Sequence, residues 1–508
     1  MKFTSKEEQY RLEQEAFVSN HGGSSPMDIF LVMLPHILAI NLTHSIFINY
    51  SKKFSKNSQT VIEFLVNVVP GVLCCTILSD YIMTVITIMI ISVLILSSIT
   101  YHNPQDIRDV KTTKISFVTH FRALTNIITA ICILGVDFRI FPRKYAKTED
   151  YGYSLMDTGV GLFIIANALV APEARNSSRL PRGSFLRRLN GNVRRCIREV
   201  TPLLILGISR FIAVEFIGYQ KHVSEYGVHW NFFITLAFVR IFTSTISIAT
   251  TPKFVGLAGF WIIVMHEYAL NTNGLKHWVL GDALRTDFVS ANREGLISIP
   301  GYVGLYLIGI ALGKIIHEAF GGDKKRCHLT KFKMSGIQLV SNKFQLTLIT
   351  KMMIIAGLCW IITAYCGSTW GVSRRLANAG YCFWIVTLST ALLGGLMMAD
   401  VQMNINVQIM RSLRKSRRND NQRIRSGDGE GDGEFVRITP EIFDAVNYNG
   451  LGFFLGANLM TGGINMIMWT LYVDIPEAVQ VIIGYMGVLI MISVVLYRRK
   501  IQLKVCCR

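Results

Sequence analysis

A succession of long apolar runs, from near residue 28 to near residue 497, constrains this chain more than any other feature. A helix of about 20 mostly apolar residues crosses the roughly 30 Å hydrocarbon core of a bilayer. About thirteen runs reach that length, with ends that the sequence locates to within several residues. The runs lie at 28–49, 60–79, 82–100, 118–136, 155–172, 200–217, 230–249, 254–270, 297–316, 346–366, 376–399, 449–471 and 478–497.

The composition excludes most other classes of protein. Only 17% of the 508 residues are charged, and the mean hydropathy is +0.39, whereas a soluble domain carries roughly 25% charged residues. Disordered, collagen-like and coiled-coil chains and disulfide-stapled scaffolds do not have such a composition. The sequence therefore predicts an all-α polytopic membrane protein with about thirteen transmembrane helices and no separate soluble domain.

Within this plan the chain divides into three parts. Residues 1–27 form a polar N-terminal segment, 28–497 form the multi-span domain, and 498–508 form a basic tail. The longest polar stretch, 400–446, contains the low-complexity segment 426–434 and is expected to be a flexible loop. The first apolar run follows about 27 polar residues and is long enough to span the bilayer, so it does not indicate a cleavable signal peptide.

The basic residues divide the loops between two sides. The loops after odd-numbered runs and the C-terminal tail hold about 34 Lys and Arg, and the other loops with the N-terminus hold about 13. Cytosolic loops of membrane proteins carry the excess of positive charge. This pattern places the C-terminus in the cytosol and the N-terminus in a lumen, as an odd number of spans requires. Topology thus explains most of the net charge of +19, and no nucleic-acid partner is expected.

One loop on the lumenal side, 137–153, is basic against this rule. Its basic residues are Arg139, Arg143, Lys144 and Lys147. Asp137 stands at the end of an apolar run, where partial desolvation raises the pKa of a carboxyl group toward that of a useful base. Lys147 can neutralise a developing oxyanion or hold a phosphate. The alternative is an interfacial belt of aromatic residues with snorkelling basic side chains. Its members would be Phe138, Phe141 and Tyr145.

The loop after the sixth run has two histidines, His222 and His229, on either side of Glu225. A histidine with a carboxylate is a common arrangement for removing a proton from a hydroxyl group. The same residues could instead form a hydrogen-bonded turn that caps two helices, and no further ligands stand at the spacing of a metal site. Arg210, inside the sixth run, is expensive in lipid and is expected to face a polar cavity or an acidic partner.

Two further lumenal clusters, at 292–295 and 373–378, place an arginine beside an amide at the start of a helix. This combination suits a phosphate or a hydroxyl-rich headgroup, although each cluster could also serve only to bond helix ends. Together the four clusters outline one pocket that opens to the lumenal half of the bilayer. His266, near the end of the eighth run, is expected to bond a neighbouring carbonyl group rather than to take part in chemistry.

Longer strings of residues carry a resemblance to a known family. They are Glu15-Ala-Phe-Val-Ser-Asn20, Val136-Asp-Phe138, Phe141-Pro-Arg143, Ala146-Lys-Thr148, Met156-Asp157, Gly159-Val-Gly161, Glu225-Tyr-Gly-Val-His-Trp-Asn-Phe-Phe233, Asn292-Arg-Glu-Gly295, Gly301-Tyr302, Ser373-Arg-Arg375 and Ala377-Asn378. From residue 15 to about 497 the sequence resembles the inositol acyltransferases of glycosylphosphatidylinositol (GPI) anchor synthesis. These are the PIG-W family of animals and its fungal counterpart.

The resemblance implies a multi-spanning enzyme of the endoplasmic reticulum whose shared motifs face the lumen. It implies transfer of a fatty acyl chain, usually palmitoyl, from an acyl-CoA such as palmitoyl-CoA to an inositol hydroxyl of glucosaminyl-phosphatidylinositol among membrane lipids. No cofactor and no metal are implied, because acyl-CoA is a co-substrate and a thioester is already activated. A polytopic lipid or solute transporter and a noncatalytic subunit of the GPI pathway are the alternatives.

The residues themselves suggest a mechanism, which is a hypothesis at this point. Asp137 would act as general base on the inositol hydroxyl, and Lys147 would stabilise the oxyanion or orient Asp137. His222, Glu225 and His229 are the alternative base system. Further candidates for substrate binding are Arg143, Asp157, Arg210, Trp230, Asn231, Asn292, Arg293, Arg374 and Asn378.

Overall fold

A computed structural model describes residues 5–19, 21–50, 53–102, 115–175, 185–217, 223–272, 274–281, 283–321, 329–334, 337–422 and 440–503. Within these ranges nearly every element is an α-helix, which confirms the predicted all-α polytopic class. The exception in the described ranges is one antiparallel hairpin of strands β1 (Leu329–Met334) and β2 (Ile337–Asn342), in which Leu329 lies opposite Asn342.

The helices are numbered in chain order. The first ten are α1 (Ser5–Val18), α2 (Pro26–Tyr50), α3 (Lys56–Asn67), α4 (Val69–Cys74), α5 (Ile82–His102), α6 (Ser116–Gly135), α7 (Leu155–Ala168), α8 (Pro172–Arg175), α9 (Phe185–Ile217) and α10 (Val223–Tyr226). The others are α11 (Phe232–Ala249), α12 (Val255–Asn271), α13 (Leu275–Leu280), α14 (Phe288–Ala291), α15 (Arg293–Ile297), α16 (Ile299–Gly321), α17 (Lys343–Thr369), α18 (Ala379–Gln422), α19 (Glu441–Tyr448), α20 (Gly450–Ile467) and α21 (Ile475–Arg498). Short 3-10 turns occur at Arg143–Tyr145 and Thr470–Tyr472.

In the described ranges nine helices are long and apolar enough to cross a bilayer, against the thirteen spans expected. They are α2, α5, α6, α11, α15 with α16, α17, α18, α20 and α21. The four other apolar runs are helical too, but they fall short as single spans. The run at 60–79 divides into α3 and α4 at Val68, and α7 and α12 have only 14 and 17 residues. The run at 200–217 is the end of α9, whose first half is basic. A count of thirteen is therefore not confirmed.

Three helices, α6, α16 and α18, form the interior of the bundle, because most of each apolar stretch is buried. Their packed faces carry aliphatic and aromatic side chains such as Phe121 and Ile131 of α6 and Leu393 of α18. By contrast, only 22% of the apolar stretch of α5 and of α20 is buried. Exposed apolar faces on helices that bond their own backbone suit a lipid surrounding.

Four loops meet at one end of the bundle, which we call the polar end. They are 136–154, 223–231, 281–298 and 370–378. Backbone hydrogen bonds join these loops: the N–H of Gly152 donates to the carbonyl oxygen of Val372, and that of Val228 to Ala291, each at 2.9 Å. Residues that are remote in sequence are therefore held together without a separate soluble domain.

The N-terminal segment also lies at the polar end. Ser24 forms an isolated bridge with Tyr153 of the loop 136–154, and the hydroxyl group of Tyr472, just before α21, donates to Glu13 of α1 at 2.6 Å. From there α21 runs for 24 residues, about 36 Å at 1.5 Å per residue. Its last residue, Arg498, is therefore at the opposite end, where it pairs with Glu441 at 2.9 Å.

The polar stretch 400–446 differs from the expected flexible loop. Helix α18 continues to Gln422, and α19 begins at Glu441, so much of the stretch is helical. Val407 and Met410 pack against Ile48 of α2, and this apolar contact extends the helix beyond the membrane-length run. The low-complexity segment 426–434 lies outside the described residues.

Candidate active site

Asp137 lies in the first turn after α6 and is only 9% exposed. Its carboxylate accepts a hydrogen bond from Nδ2 of Asn465, near the end of α20, at 2.7 Å. Burial raises the pKa of Asp137 to about 6, while the bond from Asn465 and the charges of Arg143 and Lys147 oppose this rise. Such a carboxyl group is ionised at neutral pH yet more basic than an ordinary aspartate, as general base catalysis requires.

Arg143 holds the loop that follows Asp137. Its guanidinium donates to the carbonyl oxygens of Val136, Phe138 and Phe141 at 2.8–3.1 Å. It also lies over the ring of Phe17 in α1, 3.9 Å from the ring centroid. These contacts make Arg143 a positioning residue of the loop, and its binding of a substrate phosphate stays a prediction.

The aromatic residues of this loop lie in the core and not in an interfacial belt. Phe138, Phe141 and Tyr145 have no exposed surface. The basic residues have partners within the protein, since Lys144, for example, pairs with Asp80 at 2.8 Å. The positive charge of the loop therefore serves internal contacts, and the alternative of an aromatic belt at headgroup depth is wrong.

A chain of charged side chains leads from the surface of the polar end into its interior. Lys147, whose side chain is 43% exposed, forms an ion pair with Glu225. The guanidinium of Arg374 lies 4.0 Å from Glu225 and 2.7 Å from Asp157. Burial opposes the charge of Arg374, but Asp157 and Glu225 hold its pKa well above the ordinary value. Three distant loops thus contribute to one electrostatic network.

Asp157 is the buried end of this network. The N–H and the hydroxyl group of Thr148 donate to its Oδ2 at 3.1 and 2.7 Å. Its own N–H donates to the Ser154 hydroxyl, which caps α7. The hydroxyl group of Tyr381 in α18 donates to the carbonyl oxygen of Asp157 at 2.8 Å. Asp157 therefore ties the start of α7 to α18, and a direct role in substrate binding stays a prediction.

A second group of ion pairs surrounds Glu294, which is entirely buried. Arg285 lies 2.6 Å from its carboxylate, and Arg375 lies 3.6 Å away. Arg375 also pairs with Asp150 at 2.5 Å. Ion pairs thus join the clusters at 292–295 and 373–378 to the loop after α6, and the shared pocket stays a prediction.

Asn292 and Arg293 are bonded within the protein. The amide oxygen of Asn292 accepts the N–H of His229 at 2.8 Å. Arg293 is almost fully buried and donates to the carbonyl oxygen of Ala283 at 2.8 Å. His229 itself is exposed and stacks on Phe288 with ring centroids 6.1 Å apart. These contacts agree with the alternative of helix-end bonding, and the roles in substrate binding stay predictions.

The residues around His229 shape the start of α11. The side-chain oxygen of Asn231 accepts the N–H groups of Phe233 and Ile234, the second and third residues of the helix, at 3.1 and 3.3 Å and so caps it. Trp230 donates through Nε1 to the hydroxyl group of Thr235 at 2.9 Å. The predicted His222 lies outside the described residues. Of the two described members of the alternative base system, Glu225 and His229, only Glu225 belongs to the charged network.

The loop before α18 is held from two sides. Oδ1 of Asn378 accepts the N–H of Ser373 at 3.0 Å, and its Nδ2 donates to the carbonyl oxygen of Gly371 at 2.8 Å. Nε2 of His266 lies 2.9 Å from the carbonyl oxygen of Leu376. The expectation that His266 bonds a neighbouring carbonyl group is therefore confirmed, and Asn378 orders the loop that carries Arg374.

Arg210 differs from the expectation that it faces a polar cavity or an acidic partner. Its side chain is exposed on α9. It acts at a distance on Tyr226, whose pKa burial raises to about 12 while the charges of Arg374 and Arg210 oppose that rise. A long guanidinium side chain on a peripheral helix can extend to the headgroup region, which removes the need for a polar cavity.

Sequence reasoning missed Asn465, Thr148 and Tyr381. Asn465 carried a usable signal, because an amide within an apolar helix has a functional or structural partner as a rule. Thr148 and Tyr381 carried none, since their roles depend on partners in other loops. In the described ranges no group of three or more His, Cys, Asp or Glu side chains could hold a metal ion. The arrangement instead offers a buried base within electrostatic range of an ammonium group.

The similarity to known proteins covers nearly the whole chain. A family model described as GWT1 matches residues 10–496. GPI-anchored wall transfer protein 1 of Aspergillus oryzae is 31% identical over 97% of this chain and 99% of its own length. Glucosaminyl-phosphatidylinositol-acyltransferase PIGW of Mus musculus is 30% identical over 93% of this chain and 95% of its own. An uncharacterized protein of Arabidopsis thaliana is 33% identical over 85% of this chain and 86% of its own.

Proposed function

The chain belongs to the GWT1 family, and from this premise we propose that it transfers a fatty acyl chain to the inositol of glucosaminyl-phosphatidylinositol in GPI-anchor synthesis. The names of the relatives support this function, because they combine GPI anchoring, this acceptor and acyl transfer. In our proposal the donor is palmitoyl-CoA or a similar acyl-CoA, and the protein spans the membrane of the endoplasmic reticulum.

The mechanism is supported above all by the buried position of Asp137, which raises the pKa of its carboxyl group to about 6. Its carboxylate accepts the proton of the inositol hydroxyl while the hydroxyl oxygen attacks the carbonyl carbon of the thioester. The tetrahedral intermediate then collapses, the C–S bond breaks, and the coenzyme leaves as a thiolate that takes up a proton. Asn465 fixes one carboxylate oxygen at 2.7 Å, so the base has a set orientation.

Lys147 supplies positive charge beside this base. Its charge favours the ionised form of Asp137, and its ammonium group is held by Glu225. In the reaction the ammonium stabilises the oxyanion of the tetrahedral intermediate. Glu225 and Arg374 then act as positioning residues, because they fix the ammonium and anchor its partner to the buried Asp157.

The alternative base system has less support. The carboxylate of Glu225 is engaged with two cations, Lys147 and Arg374. His229 is exposed and bonded to Asn292 through its backbone. Neither residue has the buried setting that raises the basicity of Asp137.

The test is acyl transfer in membranes with labelled palmitoyl-CoA and a glucosaminyl-phosphatidylinositol acceptor. Asp137→Asn is expected to lower the rate by about 10²–10⁴-fold, the range for loss of a general base. Asp150→Asn, which changes a more exposed carboxylate of the same loop, is the matched control and is expected to retain activity.

Two outcomes would change the assignment of the base or of the function. Activity that survives in Asp137→Asn but is lost in His229→Ala would move the base to the loop 223–231. Absence of transfer by the wild-type protein, at expression matched to an active relative, would contradict the enzyme and favour a transporter or a noncatalytic subunit.

A further inference from the structure

Asn465, the residue that bonds Asp137, lies in a loosely packed end of α20. No residue of the stretch 462–469 is buried. This end of the helix has two adjacent glycines, Gly462 and Gly463, and a Cβ atom at either would meet no neighbour within 4 Å. Because glycines lower the stability of a helix, this end of α20 gives Asn465 little support of its own.

The chain becomes buried again directly after α20, in the 3-10 turn Thr470–Tyr472. Thr470 and Leu471 are only 1% and 2% exposed. This turn is the first buried anchor of the chain after Asn465. Contacts that hold the turn therefore also limit the movement of Asn465.

Helix α1 holds this turn through Tyr10. The hydroxyl group of Tyr10 lies at hydrogen-bond distance, 3.2 Å, from that of Thr470, and it accepts the N–H of Leu471 at 3.3 Å. The ring of Tyr10 stacks on Trp469 with centroids 5.5 Å apart. One side chain of α1 thus contacts three consecutive residues that follow α20.

A second contact lies about one turn further along α1. The hydroxyl group of Tyr472 donates to the carboxylate of Glu13 at 2.6 Å. The guanidinium of Arg139 lies over the ring of Tyr472, 6.0 Å from its centroid. Since Arg139 belongs to the loop 136–154, Tyr472 lies between α1 and the loop that carries Asp137.

Helix α1 also contacts this loop directly. Phe17 follows Tyr10 by two helical turns and so lies on the same face of α1, and its ring packs against the guanidinium of Arg143. After the helix, the carbonyl oxygen of His21 accepts the N–H of Glu149 at 3.1 Å. Helix α1 thus contacts both the turn that follows α20 and the loop that follows α6.

We propose that α1 is a clamp that holds Asn465 on Asp137, with Tyr10 and Glu13 as positioning residues for the base. The two segments that α1 contacts carry the two partners of one hydrogen bond, so these contacts fix the distance between the partners. This inference rests on the proposed function, because it concerns the base of that reaction.

The clamp affects the basicity of Asp137. The bond from Asn465 lowers the pKa of Asp137 against the effect of burial. The other groups that face Asp137 are the cations Arg143 and Lys147 of its own loop and the phenol of Tyr485 in α21. A looser α1 weakens the bond from Asn465 and so raises the pKa. Because a base acts only when ionised, the acid limb of the pH profile, where the rate falls as the pH falls, then moves to higher pH.

The first test follows this acid limb in steady-state transfer. Tyr10→Ala is expected to move it upward by as much as about one pH unit, the effect of one hydrogen bond to a carboxylate. The rate then falls by up to about fivefold near pH 6 and stays close to that of wild type at about pH 8.5. Tyr10→Phe, which keeps the ring stack, is expected to move the limb less.

The matched control is Leu12→Ala, at an exposed position of the same helix, and it is expected to keep the wild-type limb. A limb that stays in place in Tyr10→Ala would overturn the proposal. So would a loss of rate that is equal at every pH, because such a loss does not come from the basicity of Asp137.

The second test asks whether α1 acts through Asn465. Asn465→Leu already lacks the bond, so adding Tyr10→Ala to it is expected to cause no further shift of the limb. A second, equal shift would show that α1 acts on Asp137 by another route and would contradict the clamp.

A milder variant covers the case in which Tyr10→Ala does not fold. Tyr472→Phe removes only the bond to Glu13, and its limb is expected to move in the same direction by less. An active Tyr472→Phe protein with the wild-type limb would contradict the clamp alone. A wild-type protein without transfer would contradict the proposed function itself, and the clamp would then have no base to position.

Discussion

At the scale of single residues, the base strength of the site depends on the setting of Asp137. Burial disfavours the charged carboxylate, and one hydrogen bond and two positive charges partly restore it. The pKa of about 6 means that the carboxylate is mostly ionised at neutral pH and mostly protonated below pH 6. A base acts only when ionised, so the rate should fall as the pH falls through this value.

We therefore expect the pH profile of transfer to have an acid limb near pH 6. Asn465→Leu removes the bond that lowers the pKa of Asp137, so the limb should move to higher pH. Asn458→Leu, on the same helix and bonded to the carbonyl oxygen of Phe454, is the matched control and should leave the limb in place. An identical profile in wild type and Asn465→Leu would show that Asp137 does not set the acid limb.

The pair of Asp157 and Arg374 predicts a large effect on stability. Asp157→Asn leaves a buried guanidinium without its closest counter-charge, and breaking a buried pair in this way costs about 3–5 kcal/mol. Asp80→Asn breaks an exposed pair with Lys144, for which only a small loss of stability is typical. Thermal unfolding in detergent should show a much lower Tm for Asp157→Asn, and equal Tm values for both variants would contradict the structural role.

At the scale of elements, a close contact between α16 and the loop 370–378 places Arg374. A Cβ atom at Gly301 would lie 2.0 Å from the carbonyl oxygen of Ala377. Ala377 adopts a left-handed conformation with φ 45°, which is uncommon for a residue with a side chain. The next residue of α16, Tyr302, donates to the carbonyl oxygen of Arg374 at 3.2 Å. Contacts with the start of α16 thus fix the conformation of this loop.

Gly301→Ala is therefore expected to displace the loop. Overpacking of this kind costs about 1–3 kcal/mol, and it should lower both the Tm and the rate of transfer. Gly357→Ala, in a helix position with no neighbour within 4 Å, is the control and should leave both unchanged. A Gly301→Ala protein with wild-type stability and activity would show that the close contact does not hold the loop.

At the scale of the whole molecule, the N-terminal segment and the candidate site lie at the same end. Ser24 bridges to Tyr153 beside the site, whereas Arg498 at the end of α21 pairs with Glu441 at the opposite end. The excess of basic residues belongs to the loops away from the polar end. The positive-inside rule therefore predicts that the polar end is lumenal and the C-terminus cytosolic.

Tags on sealed microsomes test this orientation. We expect a glycosylation tag added at the N-terminus to be modified and one added at the C-terminus to remain unmodified and open to protease. The opposite result would place the candidate site on the cytosolic side.

Much of the architecture can be predicted from the sequence, because a segment that crosses the bilayer must be apolar and helical whatever it packs against. The all-α class and the location of every apolar run as helix agree with the structure. The number of spans was less predictable from hydropathy alone. The apolar run at 60–79 divides into two helices at Val68, and the run at 200–217 continues a helix whose first half is basic. The helical extension of α18 to Gln422 was missed for a similar reason, because it depends on packing against α2.

The sequence predicted which residues belong to the site, but it did not predict which of them pair with each other. Asp137, Lys147, Glu225 and Arg374 are recognisable by charge in loops that border apolar runs. Only the tertiary structure decided that Lys147 pairs with Glu225 and that Asp137 is bonded by Asn465, 328 residues away. Charge and hydropathy are local properties, whereas the partner of a buried charge depends on which helices pack together and in what order. The sequence therefore determined which groups are available, and helix packing determined which of them act on each other.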